Sequence, residues 1–154
     1  MEANEKLVSL LKEKKLIISA AESVTGGKFI STLIEVPGAS KIIDRSFIVY
    51  SDKAKTEVLG VNPELIKAFG IVSEEVALEM ARRVKQISGS DIAVSTTGEA
   101  GPNPNEEGII VGTVCFGVII RGSEFVYKQV FAGDRLGIID NAVTFLINDL
   151  IYRI

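Results

Sequence analysis

Apolar residues along the chain switch between two spacings. In residues 3–14 they fall three and four positions apart, with Leu7, Leu10 and Leu11 on one face, which predicts a helix. "LIISAAES", residues 16–23, is instead an unbroken β-rich run and reads as a buried strand. The helical spacing returns over 26–35, with Phe29, Ile30, Leu33 and Ile34 facing inward, and "VPGAS" (36–40) follows as a Pro-Gly turn. "RSFIVYS" (45–51) is rich in aromatic and β-branched residues and predicts a strand. Ser51 or Asp52 can cap the helix after it, and Gly60 ends it. A short helix near Pro63 is closed by Gly70.

Residues 73–88 form the most explicit helix, with Ser73 as cap, Glu74 and Glu75 at the positive start and Arg82, Arg83 and Lys85 toward the negative end. "DIAVSTT" (91–97) predicts a strand. Residues 111–120 and 124–132 predict two more, joined as a hairpin by "RGS". The final helix, 135–152, shows an apolar face of Leu136, Ile139, Val143, Leu146, Ile147 and Leu150. This order specifies an α/β layered domain with a mixed sheet, without repeats or an internal boundary, so 1–154 reads as a single domain.

Composition narrows the function more than the fold. A net charge of −3 gives no basic field for nucleic acid or an anionic membrane. The apolar runs are too short to span a bilayer, and the charged, amphipathic opening "MEANEKLVSLLKEKK" has no signal-peptide pattern, which points to a cytoplasmic protein. The single Cys115 allows no internal disulfide and reads as a small core hydrophobe. The chain has no His, which removes Ser-His-Asp and Cys-His chemistry and leaves no usable zinc ligand set. A nucleophile here needs Lys, a carboxylate or Tyr as its base.

Three predicted strands run into polar turns. They carry Glu22, Ser23, Thr25, Gly26 and Gly27 after the first, Tyr50, Ser51, Lys53 and Lys55 after the second, and Thr97, Gly98 and Gly101 after the third. If the strands are parallel, these turns line one crevice beyond their carboxyl ends. The turn "ESVTGGKF" is not a Walker A loop: Glu22 replaces its first Gly, and Phe29 replaces the hydroxyl after Lys28. Free N–H groups at the following helix start can still hold a phosphate or carboxylate. A tight turn with nothing bound fits that segment equally well.

Ser40 after the Pro-Gly turn and Lys55 in a first helical turn offer a Ser nucleophile with a Lys base, or else a cap and a solvated amine. Such a base requires the amine to be neutral near pH 7.5, by burial, a neighbouring cation or the helix start. Asp134 is placed to cap the last helix, and Arg135 to clamp an anion.

Taken together, "AAESVTGG", "VPGAS", "VYSDKAK", "TTGEAGP", "VGTV" and "FAGDR", in this order, resemble the CinA C-terminal domain family. The likeness runs from about residue 5 to 150. Characterised members of that family are nicotinamide mononucleotide (NMN) amidohydrolases. The resemblance implies a three-layer α/β/α fold with a mixed, mostly parallel sheet, in a stand-alone form of PncC type without the further N-terminal domain of longer members. It implies conversion of NMN to nicotinate mononucleotide and ammonia, with no cofactor and no metal, by a Ser/Lys dyad.

Matched to this sequence, the resemblance assigns catalysis to Ser40 and Lys55, with Tyr50 orienting Lys55 or passing on a proton. Glu22, Ser23, Thr25, Gly26, Gly27, Thr97, Gly98, Gly101 and Arg135 are the expected substrate contacts. The apolar last helix and hairpin lead us to expect a homo-oligomer. Glu99 and the loop "NPNEEGII" depart from the family pattern, and the added carboxylates Glu99, Glu106 and Glu107 could repel a phosphate. A related amidase with another substrate and a non-catalytic nucleotide-binding domain are the alternatives. The hydrolase reading requires the Ser40 alcohol within reach of the Lys55 amine.

Overall fold

The computed structural model of the protein describes residues 1–154. Along the chain it forms α1 (Ala3–Lys14), β1 (Ile18–Glu22), α2 (Lys28–Ile34), β2 (Ile43–Ile48), α3 (Asp52–Leu59), α4 (Pro63–Phe69) and α5 (Glu74–Ser88). Then follow β3 (Ile92–Gly98), β4 (Thr113–Ile120), β5 (Ser123–Val130) and α6 (Arg135–Arg153). The predicted order of elements is the one found. Local chemistry sets the helix ends: Ser51, Ser73 and Asp134 each accept a hydrogen bond from a first-turn N–H, and Gly60 and Gly89 close α3 and α5 in the left-handed conformation.

The five strands form one mixed sheet in the order β2-β1-β3-β4-β5. β1 pairs in parallel with β2 and β3, while β4 and β5 add an antiparallel hairpin beside β3. The carboxyl ends of the three parallel strands therefore lie along one edge, as a strand-end crevice requires. Alternation along the strands divides the apolar side chains into two cores. Ile18, Ala20, Ile92, Val94 and Phe116 pack against α1, α2 and α6, whereas Ala21, Ala93 and Ile119 pack against α3, α4 and α5. This is the three-layer arrangement. Ile34 and Leu136, expected inward, are 61% and 59% exposed. Each lies beside its helix's buried stripe, which is Phe29 and Leu33 in α2 and begins with Ile138 in α6.

The pairing of β1 with β2 contains one irregularity. Ile18 is opposite Ile43, but Ala20 is opposite Ser46, so β2 carries one extra residue there. The fully buried Ser19 serves the bulge: its hydroxyl accepts the Arg45 N–H at 3.3 Å and lies 2.7 Å from the Ser90 hydroxyl. Beyond the bulge the register is regular and ends with Ile48 opposite Glu22.

Candidate active site

β1 ends in Glu22, a carboxylate only 1% exposed. Its Oε1 accepts the Phe29 N–H at 2.9 Å and the Thr25 hydroxyl at 2.6 Å, and its Oε2 accepts the Ile30 N–H at 3.1 Å. The start of α2 is thus filled by the protein's own anion. Of the two sequence readings of this turn, a tight turn without an external anion on the helix is the one that fits. Gly26 and Gly27 both have positive φ, 56° and 99°, and they let the chain reverse between β1 and α2.

Ser23 follows Glu22 and is 7% exposed. Its N–H is shared between the Thr96 carbonyl at 3.1 Å and the Thr96 hydroxyl at 3.3 Å. Its hydroxyl lies 2.9 Å from Lys55 Nζ. Lys55 stands on α3 just beyond β2, and its side chain is completely buried. Nζ also donates to the carbonyls of Val49 at 3.0 Å and Tyr50 at 3.4 Å. Burial lowers the Lys55 pKa to about 8, and the nearby Asp52 carboxylate raises it in partial opposition. Lys53, expected to contribute like charge, is instead exposed and faces Glu57 at 3.8 Å.

The structure corrects the expected nucleophile. Ser40 is exposed in a turn of 3-10 helix, Ala39–Lys41, at the opposite end of β2 from Lys55. The six residues of β2 separate the two, about 20 Å of extended chain. Ser40 and Lys55 form no dyad, and the alcohol beside the amine is Ser23.

Among the other expected contacts, Tyr50 is exposed, and its hydroxyl accepts from Arg135 Nη2 at 2.8 Å. Arg135 Nη1 donates to the Gly101 carbonyl, so Arg135 straps the strand-end turn to the loop after β3. The Thr97 hydroxyl is engaged by the Ile71 carbonyl at 2.8 Å. The two glycines expected to approach a substrate instead lie against their own chain. A Cβ on Gly98 would come 2.7 Å from the Thr113 carbonyl oxygen, and one on Gly101 would come 2.4 Å from Val111. Two of the added loop carboxylates are bound to backbone: Glu99 accepts the Gly101 N–H and Glu107 the Ile71 N–H.

Sequence reasoning missed Thr96, whose hydroxyl lies 2.9 Å from that of Thr25. It also missed Ser23 as the alcohol facing Lys55. The available signal was strand-end position, since Ser23 follows β1 directly, whereas Ser40 precedes its strand. Cavity size does not find the pair. A cavity of about 850 Å³ lies between α3, α4 and Glu107, and neither Ser23 nor Lys55 lines it. We place the candidate site by chemistry instead: an alcohol in contact with a buried amine of lowered pKa.

The profile of the CinA C-terminal domain matches residues 1–154. A CinA-like protein of Petrotoga mobilis is 44% identical over 129 residues, which are 84% of this chain and 32% of that protein. The chain spans about one third of the length of the curated relatives it matches. Two crystal structures are close in fold. A competence or damage-inducible protein from Enterobacter asburiae superposes with a TM-score of 0.96 at 36% identity, covering 99% of this chain and 96% of that one. A CinA superfamily protein from Escherichia coli gives 0.95 at 32% identity, covering 99% and 88%.

Proposed function

This chain belongs to the CinA C-terminal domain family, and on that premise we propose that it is a serine amidohydrolase acting on NMN, with Ser23 as nucleophile and Lys55 as base. The observation that carries the proposal is the 2.9 Å contact between Ser23 Oγ and the fully buried Lys55 Nζ. A neutral amine has two N–H bonds and one lone pair. Charged, Nζ donates to Ser23 Oγ and to the Val49 and Tyr50 carbonyls, while the Ser23 hydroxyl donates to the Tyr50 carbonyl at 3.4 Å; once Nζ has lost a proton, its two N–H bonds serve the carbonyls and its lone pair is left for the Ser23 hydroxyl.

In the reaction, Lys55 takes the Ser23 proton as Oγ bonds to the carboxamide carbon. The Val24 and Thr25 N–H groups, which follow Ser23 and donate to no protein carbonyl, are available to the developing oxyanion. The C–N bond then breaks, and ammonia departs with the proton from Lys55. Lys55, neutral again, activates a water that hydrolyses the Ser23 ester and restores the alcohol. The sum is amide plus water to carboxylate plus ammonium. The Tyr50 side chain is exposed and held by Arg135, while its carbonyl accepts from Lys55 Nζ, so its expected part in orienting Lys55 falls to the backbone.

The test is ammonia release from NMN by the purified chain. Ser23→Ala and Lys55→Ala are each expected to lower kcat at least about 10³-fold, while Ser40→Ala leaves it at the wild-type value. Loss of activity in Ser40→Ala with retention in Ser23→Ala would refute the assignment. If ammonia came only from other amides in a panel, the substrate would be wrong and the dyad right. NMN binding without release of ammonia from any amide would make this a binding domain.

A further inference from the structure

We infer that Glu22, acting with Thr25 and Thr96, is a positioning group that fixes the turn bearing Ser23, and that it does not contact substrate. This inference rests on the Ser23–Lys55 reading and deepens it.

The direction of each hydrogen bond follows from the acceptor at one end. Both Glu22 oxygens accept, from two backbone N–H groups and from the Thr25 hydroxyl. Thr25 has spent its only proton on Glu22, so across the 2.9 Å Thr25–Thr96 contact the Thr96 hydroxyl must donate. The Thr96 oxygen is then free to accept, and the Ser23 N–H points to it. The chain therefore runs one way, from the Ser23 amide through two hydroxyls to the carboxylate. It joins the turn to β3 on one side and to α2 on the other.

None of these bonds uses the Ser23 hydroxyl, which accepts from Lys55 Nζ and donates to the Tyr50 carbonyl at 3.4 Å. Glu22 at 1%, Thr96 at 1% and Thr25 at 3% exposure present almost no surface to a ligand. The first-turn donors of α2 are also spent: Phe29 and Ile30 on Glu22, and Lys28 on the Thr25 carbonyl. An anionic group of the substrate must be held elsewhere.

An amide cannot replace this carboxylate. Glu22→Gln retains one acceptor oxygen and turns an NH₂ toward the Ile30 N–H or toward the Phe29 and Thr25 donors. Misplacing the nucleophile by a fraction of an ångström to 1 Å predicts a kcat for NMN lower by about 10- to 100-fold, with KM within about threefold of wild type. Thr96→Val, which removes one link and keeps the volume, is expected to behave the same way, and Thr96→Ser to recover most of the loss. Thr96→Val carries the test alone if Glu22→Gln does not fold, as judged by circular dichroism.

An unchanged kcat, or a raised KM at constant kcat, in folded Glu22→Gln or Thr96→Val would overturn the inference. The second result would make the group a substrate contact. If wild type releases no ammonia from NMN, the substrate reading fails by itself. The inference is then decided by the rate at which a fluorophosphonate labels Ser23, expected to fall at least about tenfold in Thr96→Val. Equal labelling overturns the positioning role, and an unlabelled Ser23 in wild type overturns both.

Discussion

Lys55 shows how burial shifts a surface residue type toward its neutral form. Of the ways to lower its pKa open from sequence, burial is the one that dominates, and it acts against Asp52. The resulting value of about 8 sets the pH dependence. With Lys55 as the proposed base, its neutral form is the active one, so kcat/KM for NMN should rise with pH and reach half its plateau near 8. A profile flat from pH 6 to 9 would contradict this role. Lys55→Arg should be inactive throughout, because guanidinium does not deprotonate in a protein. Residue types and rough location were legible beforehand: with no His, Lys was the base to look for, and the turns after the parallel strands were the place. The partner alcohol was half legible: Ser23 ends its strand and Ser40 precedes one, but only parallel pairing of β1 with β2 brings Ser23 to Lys55, and hydrophobic spacing does not report the direction in which neighbouring strands run.

The elements themselves were readable because their periods and caps agree. Ser73 with Glu74 and Glu75 marks the start of α5, and the hairpin β4–β5 lies where "RGS" divides two apolar runs. The bulge in β2 was not readable, since its extra residue falls at "DRS" in the exposed edge strand and leaves no break in the apolar pattern. Its support is Ser19, which reads in sequence as one small residue in a buried run. Ser19→Ala would strip the Arg45 N–H and the buried Ser90 hydroxyl of a partner. We expect a loss of about 1–3 kcal/mol in urea unfolding, with the largest rise in hydrogen exchange at β2. A cost below about 0.5 kcal/mol would show that the bulge satisfies itself in another way.

For the whole molecule, the buried Lys55 amine is a thermodynamic burden. Folding lowers the Lys55 pKa from 10.5 to about 8, so between those values the unfolded chain binds the extra proton. The burden is present in full below about pH 8, and it fades as pH rises toward 10.5. At pH 7 it amounts to about 3 kcal/mol. Lys55→Met should therefore be inactive yet more stable than wild type at pH 7, with the gap narrowing by pH 10; equal stability at both pH values would refute the linkage.

The position of β3 in the sheet has a consequence for biosynthesis. β1 and Lys55 both precede β3 in the chain, yet the inner neighbour that holds the Ser23 amide contains Thr96. A nascent chain emerging from the ribosome carries the alcohol and the amine long before the central strand arrives to seat them. On the proposed function, the pair would become competent only once the middle of the sheet closes.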